Sequence, residues 1–374
     1  MKNRRLIALL TALVLALTLC ACGTVGDTPT NDPGQTTQQP TETPTAPVEE
    51  SPTAQPTDQP TEEPTPEVTE PLADGTVRLA VLSGPTGVGA AKLLSDADAG
   101  VALNTYQYTI ATDNAELMAG LAGAQPAFDI ATVASNVALN LYNKTGGDVK
   151  IIALGTRGVL HILEGSGGTT LESIADLEGE VIYCAGQGAN PEYVLRYLLT
   201  QNGLNPDEDV TLVFAEAAEI QTKLLGGEIK YAMLPVPAAT AAIIKGNGQV
   251  RSAVDITEAW DEMGNGSQLI MTAVVARTEF IEKYPEAVAN FLQEYKASIE
   301  YVNGNHEAAA ELIAGYGITP NAAIAKQAIP QCHLTFISGR SMASAISDYF
   351  MVLYEVNPAS VGGKLPDDAI YYAP

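Results

Sequence analysis

Chemistry-bearing side chains are scarce in this 374-residue chain. It has three histidines, four cysteines and one tryptophan, and only 19 Lys and Arg stand against 44 Asp and Glu, for a formal net charge of −25. The shortage of cations excludes nucleic acid as a partner, because phosphate binding needs a basic face and the release of counterions. The common catalytic patterns are missing as well. His306-Glu307 opens like a zinc-protease helix, but position 310 is Ala and the second ligand is absent. The stretch Gly84-Pro-Thr-Gly-Val-Gly89 has glycines without the Lys-Ser/Thr of a phosphate-cradling loop. No Ser is followed three places on by Lys, and no Gly-x-Ser-x-Gly elbow occurs, which removes two serine nucleophile arrangements. With His161, His306 and His333 the only imidazoles, nothing supports a histidine acid–base centre. The sequence therefore predicts no catalytic residue, no metal site and no cofactor.

Proline and charge are distributed unevenly. Eleven of the 23 prolines and eleven of the acidic residues fall in 24–74, which has no Lys or Arg. Ahead of it, Lys2, Arg4 and Arg5 precede a 14-residue apolar run at 6–19, shorter than the roughly 20 residues a spanning helix needs. The sequence Leu19-Cys20-Ala21-Cys22-Gly23 then resembles a bacterial lipoprotein signal, in which cleavage before Cys22 finds Ala21 and Leu19 in the expected places. An ordinary secretory leader is the alternative. The resemblance implies a signal peptide over 1–21 and diacylglycerol on Cys22, where two acyl chains anchor stably and one binds marginally. The Thr/Pro/Glu-rich stretch 22–74 has little to bury and reads as a disordered tether reaching up to about 3 Å per residue. Cys184 and Cys332 remain as two thiols in an oxidising compartment, where a disulfide can form. Cys184 lies in an apolar strand pattern, however, which favours a small buried thiol.

The remaining 300 residues, 75–374, carry 33 acidic and 16 basic side chains, a net of −17. Their order of elements repeats once. Strand patterns at 77–82, 106–111 and 128–133 alternate with helical ones at 90–96 and 114–121, and with a helix opening at Ser135-Asn136. About a hundred residues on, strands at 180–184, 210–214 and 231–234 alternate with helices at 191–201, 217–225 and 235–245. Such alternation predicts mostly parallel sheets. The apolar stretches 155–164 and 268–277 stand where the chain must pass between the two copies, and are the hinge candidates. The rest, 280–354, reads as helices packed mostly on the first lobe. The expected division is 75–157 plus 272–374 for lobe 1 and 158–271 for lobe 2.

In α/β sheets ligands sit beyond the carboxyl ends of strands, where helix N-termini present free N–H groups and partial positive charge. The loops there are 83–89 and Ser135-Asn136 in the first copy, and 186–190 and 235–237 in the second. Two lobes facing each other this way make a clamp. Three further residues have bland readings beside the functional ones. His161 alternates with Leu160 and Ile162 and reads as structural. Arg157 is either a cleft residue or half of an ion pair, and Trp260 reads as packing.

From residue 76 onward the chain resembles the solute-binding lipoproteins of ABC importers, within the nitrate/sulfonate/taurine/thiamine-pyrimidine (NMT1/THI5-like) group. The resemblance rests on Gly84-Pro-Thr-Gly87, Asp129-Ile-Ala131, Ser173-Ile-Ala-Asp-Leu-Glu-Gly179, Gly186-Gln-Gly-Ala-Asn-Pro-Glu-Tyr193 and Val361-Gly-Gly-Lys-Leu-Pro366, in that order. It implies an α/β, two-lobe type II periplasmic-binding-protein fold with a hinge, an inter-lobe ligand cleft and no catalysis. It also implies an extracytoplasmic, lipid-anchored, monomeric receptor delivering a small anionic or heteroaromatic solute to ABC permease and ATPase subunits. By position, the family's ligand contacts fall on Pro85, Thr86, Gly87, Ser135, Asn136, Thr156, Gln187, Gly188, Asn190 and Pro235, with Arg157 beside them. Pro235-Val-Pro237 stands where many members carry a larger polar or aromatic group. The alternatives are an enzyme of small metabolites on the same scaffold, and a ligand-sensing lipoprotein.

Overall fold

Short apolar strands alternating with helices build two sheets with the same internal order. The computed structural model describes residues 75–123, 125–264, 266 and 268–374. The expected signal peptide, the lipidated Cys22 and the tether over 22–74 lie outside the described residues.

The strands are β1 (Val77–Leu82), β2 (Tyr106–Ala111), β3 (Ile130–Ala134), β4 (Val149–Thr156), β5 (Leu160–Glu164), β6 (Val181–Cys184), β7 (Thr211–Phe214), β8 (Tyr231–Pro235), β9 (Arg251–Asp255), β10 (Thr272–Arg277) and β11 (Leu334–Ser338). The helices are α1 (Ala91–Asp98), α2 (Asn114–Ala122), α3 (Ser135–Thr145), α4 (Asn190–Gln201), α5 (Ala217–Leu225), α6 (Ala238–Gly246), α7 (Ile256–Glu262), α8 (Thr278–Lys283), α9 (Pro285–Gly304), α10 (His306–Gly315), α11 (Ala322–Ala328) and α12 (Ser341–Val356). Local chemistry sets several boundaries. Asp113, Asp255 and Asn321 accept backbone N–H groups at the starts of α2, α7 and α11, Pro191 enters the first turn of α4, and Gly146 at φ +69° closes α3.

The first sheet runs β11-β4-β10-β3-β1-β2 and the second β7-β6-β8-β5-β9. In each, three strands are parallel (β2, β1, β3 and β7, β6, β8) and the next strand is antiparallel. In the first sheet that strand, β10, enters after the whole second sheet has been made. In the second it is β5, which follows directly on β4. The mostly parallel pairing expected is thus confined to three strands per sheet, because the chain crosses between sheets immediately beside them. β3 is buried along nearly its whole length and β1 almost as fully, as strands covered on both faces must be.

Three details depart from the sequence reading. The stretch 155–164 is not one strand. It breaks at Arg157, Gly158 and Val159, leaving β4 in one sheet and β5 in the other. Of 268–277 only Thr272–Arg277 is strand. The C-terminal part, expected to be helical, contributes β11 to the edge of the first sheet, since Leu-Thr-Phe-Ile-Ser is short and bounded by helices on both sides.

The C-terminal helices do more than cover the first sheet. α9 packs on α1 and β11, while α12 also packs on α4 and α11 on α6. Tyr197 and Trp260 of the second body stack beside Tyr349 of α12, with Trp260 fully buried. One apolar core runs continuously through both sheets, and a smaller one lies under α5 and α6. Cys184 and Cys332 are both buried and unbonded, and burial pushes each thiol up to about 12. Among the described residues no helix is long and apolar enough to cross a membrane.

Candidate functional site

The carboxyl ends of β1, β3 and β4 and the start of β10 meet at one place, and each supplies a polar group that is almost completely buried. Thr86, Ser135, Thr156 and Thr272 are each at most 9% exposed. The three threonine hydroxyls form a chain of hydrogen bonds. Thr156 Oγ1 donates to Thr272 Oγ1 at 2.5 Å, and Thr272 Oγ1 donates to Thr86 Oγ1 at 3.5 Å. Thr156 and Thr272 are register partners across β4 and β10, and Ala134, the partner of Thr272 on β3, immediately precedes Ser135. Sheet register therefore gathers three hydroxyls that are far apart in sequence.

Ser135 is the first residue of α3. Its N–H donates to Met271 O at 3.0 Å and its hydroxyl to Ile270 O at 2.7 Å. No side chain caps this helix and its first turn holds no acidic residue, although Ser135, Asn136 and Val137 are all buried. With the Ser135 N–H taken by Met271 O, the next N–H groups of this buried, uncapped helix start are left to receive an acceptor from elsewhere.

The second body reaches this point through Asn190, the first residue of α4, which is 2% exposed. Its Nδ2 donates to Ser135 Oγ at 3.2 Å, and its Oδ1 has no partner among the described residues. Two helix N-termini thus meet across the junction of the two bodies. Tyr295 adds a second unpartnered group. Its hydroxyl is buried against Gly155, where a Cβ would stand 2.6 Å away, and burial alone pushes the phenol well above its ordinary range. Thr86, Ser135, Asn136, Thr156, Asn190, Thr272 and Tyr295 carry no formal charge, so the field here comes from backbone dipoles.

The other expected contacts fall elsewhere. Gly87 follows a tight turn in which any Cβ would lie 2.3 Å from Leu82 O, a steric demand that accounts for the glycine without a ligand. Pro85 is half-buried in the same turn. Gln187 and Gly188 are exposed, and the Gly188 N–H is already taken by Glu192 Oε2 at 2.8 Å. Pro235 pairs with Leu160 at the end of β8, and Val236 N–H donates to Val159 O at 2.9 Å, which ties this loop to the crossing segment. Arg157 pairs with Asp261, its Nη2 lying 2.6 and 2.8 Å from the two carboxylate oxygens, while its buried Nε has no partner among the described residues. His161 is buried with Nδ1 3.1 Å from Ser252 Oγ and 3.9 Å from Asp255, a packed position inside the second sheet. Among the described residues no group of three or more His, Cys, Asp or Glu is placed to hold a metal.

Sequence reasoning did not single out Thr272, Tyr295 or Tyr349. For Thr272 a signal existed, since it is the one hydroxyl in the apolar run Leu-Ile-Met-Thr-Ala-Val-Val. Tyr295 and Tyr349 lie on amphipathic helices and look like any other core aromatic.

Residues 178–315 match the NMT1-like family. No curated protein matches the chain in sequence. Among solved structures, it is similar to an ABC transporter protein from Parabacteroides distasonis, at 24% identity and a TM-score of 0.67 over 80% of this chain and 99% of that one. It is also similar to the periplasmic aliphatic sulphonate binding protein of Escherichia coli, at 14% identity and a TM-score of 0.65 over 81% and 93% of the two chains. The alkanesulfonate-binding protein of Xanthomonas axonopodis bound to MOPS is a third, at 13% identity and a TM-score of 0.55 over 79% and 96%. These likenesses give the two-lobe fold of periplasmic binding proteins, and together with the family match they agree with the resemblance carried by the motifs.

Proposed function

We propose that the protein is an extracytoplasmic solute-binding receptor of an ABC importer. In this reading residues 75–157 and 272–374 form one lobe and 158–271 the other, and they close on a small solute that is then delivered to permease and ATPase subunits. The observation that carries it is the buried, uncapped N-terminus of α3 with Asn190 of the opposite lobe set against it. The solute takes the helix N–H groups of one lobe and the amide of the other, so binding and closure are one event. Thr86, Ser135, Asn136, Thr156 and Asn190 form the centre of the site. Pro85, Gly87, Gln187, Gly188 and Pro235 frame its loops, and Arg157 serves the junction through Asp261.

The similar ABC-transporter and sulfonate-binding structures support the transport class, and the absence of any assembled nucleophile and base in the sequence patterns supports binding without turnover. The leader supports a protein held at the outer face of the membrane by diacylglycerol on Cys22, and the family resemblance supports a monomer. Substituting Cys22 by Ala should release the protein into the soluble fraction, and retention of that variant on membranes would remove the lipid foot from the reading. The role itself is tested by thermal-shift screening against sulfonates, nitrate, bicarbonate, pyrimidines and flavins. A correctly folded protein whose Tm no solute raises, and whose Thr86→Trp variant behaves identically, is not a receptor of this kind.

A further inference from the structure

Resting on the receptor reading, the geometry points to a narrower ligand class: we infer that the solute is a neutral molecule carrying an N–H or O–H donor beside its acceptor, of the amide, lactam or urea type, and not an acceptor-only oxyanion.

The orientation of one amide decides this. The Ser135 hydroxyl gives its hydrogen to Ile270 O at 2.7 Å, and can therefore only accept from Asn190 at 3.2 Å. That assigns Nδ2 to the Ser135 side and leaves Oδ1 of Asn190 as the unpartnered end of the amide. Turning the amide over would set a carbonyl oxygen against a hydroxyl whose proton is already spent. Oδ1 is an acceptor, is buried and has no partner among the described residues. What satisfies it must donate.

Next to it stand the donors. Asn136 and Val137 begin α3 with no side-chain cap, and their N–H groups call for an acceptor. Thr86, at the end of the hydroxyl relay, accepts from Thr272 and retains its own O–H to give. Because Asn190 contacts the first residue of α3, its free acceptor and the helix donors belong to one cluster. Their complement is a solute whose own acceptor and donor are adjacent, as C=O and N–H are in a lactam. A sulfonate or nitrate would satisfy the helix N–H groups and set a second acceptor against Asn190 Oδ1. Among the described residues the cation next to the cluster, Arg157, already pairs its Nη2 with Asp261, and its buried Nε is left without a partner.

The test compares Tm shifts of the intact protein with uracil and 2-pyrrolidone, with 1,3-dimethyluracil, which keeps the ring and its carbonyls and replaces the N–H groups by N-methyl, and with ethanesulfonate and nitrate. Uracil or 2-pyrrolidone should raise Tm while dimethyluracil and the anions do not. Asn190→Leu should abolish the shift, and Asn190→Asp, which keeps an acceptor oxygen, should retain part of it; circular dichroism of the unliganded variants checks folding. If both variants misfold, the comparison of uracil with its dimethyl derivative on the unaltered protein still decides. Equal shifts from those two remove the donor requirement and overturn the inference. A shift from ethanesulfonate or nitrate alone overturns it and leaves the receptor reading standing. No shift from either set overturns it too, and the receptor reading then depends on the wider solute screen.

Discussion

Trp260 and Tyr349 meet edge to face, their ring centroids 5.6 Å apart and their planes at 72°, although one belongs to the body of the second sheet and the other to a helix beneath the first. Both are completely buried. The chain's one tryptophan is thus a built-in reporter of the contact between the two bodies.

Tyr349→Ala should cost about 3–5 kcal/mol through the cavity and the lost aromatic pair. It should also shift tryptophan emission to longer wavelength as water reaches Trp260. Denaturant titration followed at that wavelength checks both, and emission unchanged in the variant would place the junction elsewhere. Tyr349→Phe keeps the ring and loses the contacts of its hydroxyl with Met271 Sδ at 3.7 Å and with the Ser135 side chain, so it should cost far less than the alanine.

Gly158 lies in the three-residue crossing between β4 and β5, where a Cβ would stand 2.1 Å from Thr257 Oγ1 and 2.8 Å from a Leu269 methyl group. Gly158→Ala must therefore push apart the two segments that join the bodies, and a loss of about 1–3 kcal/mol is expected from such crowding. Gly304 at the end of α9 has nothing within 4 Å of its Cβ position, so Gly304→Ala is the control and should be neutral in the same urea melt. Equal midpoints for the two variants would mean that the crossing yields freely.

Glu164 is fully buried, and Arg251 Nη2 lies 2.5 Å from its Oε2. Burial pushes this carboxyl up, but the N–H and hydroxyl of Thr170, the guanidinium of Arg251 and the N–H of Leu171 together outweigh it and hold the group below the usual carboxylate range. A folded pKa depressed below the unfolded one gives stability that is present above the unfolded value and lost as pH falls through the folded one. Arg251→Met should leave a buried carboxylate short of its charge partner, cost about 3–5 kcal/mol at neutral pH, and move the acid unfolding midpoint upward. An acid midpoint that does not move would show that the hydrogen bonds from Thr170 and Leu171 suffice.

His161 behaves in the opposite sense. Burial lowers its pKa, Asp255 partly restores it and the nearby His333 lowers it again. The unfolded chain then binds more protons than the folded one below about pH 6.5, so stability declines as pH falls through that value. His161→Gln should flatten the fall in Tm between neutral pH and pH 5. A fall as steep as in the unaltered protein would assign the acid sensitivity to other groups.

The doubled order of elements was legible because parallel strands buried on both faces leave apolar runs, and the intervening helices leave a 3.6-residue pattern. Crossing strands were less so. β4 and β5 merge into one apolar stretch in sequence, and only the backbone at 157–159 divides them. At the site, Thr86, Ser135, Thr156 and Asn190 could be placed by following the carboxyl ends of strands. Gly87 and Gly188 also lie on those loops, but one is there to clear Leu82 O and the other turns at the surface at φ +68°. A glycine that lets a ligand approach and a glycine that lets the chain turn look alike in sequence, and the contact of Tyr295 with Gly155 depends on a tertiary packing that no local pattern encodes.

The five strands of the second sheet come from one unbroken length of chain, whereas the first sheet is assembled from a piece before that length and a piece after it. During synthesis the second sheet can therefore close while β1, β2, β3 and β4 still wait for β10 to pair between β3 and β4. Until then β3 and β4 keep open backbone edges in a growing chain. The second half can thus be finished while the first is not, and substitutions in β10 should show first as lost yield.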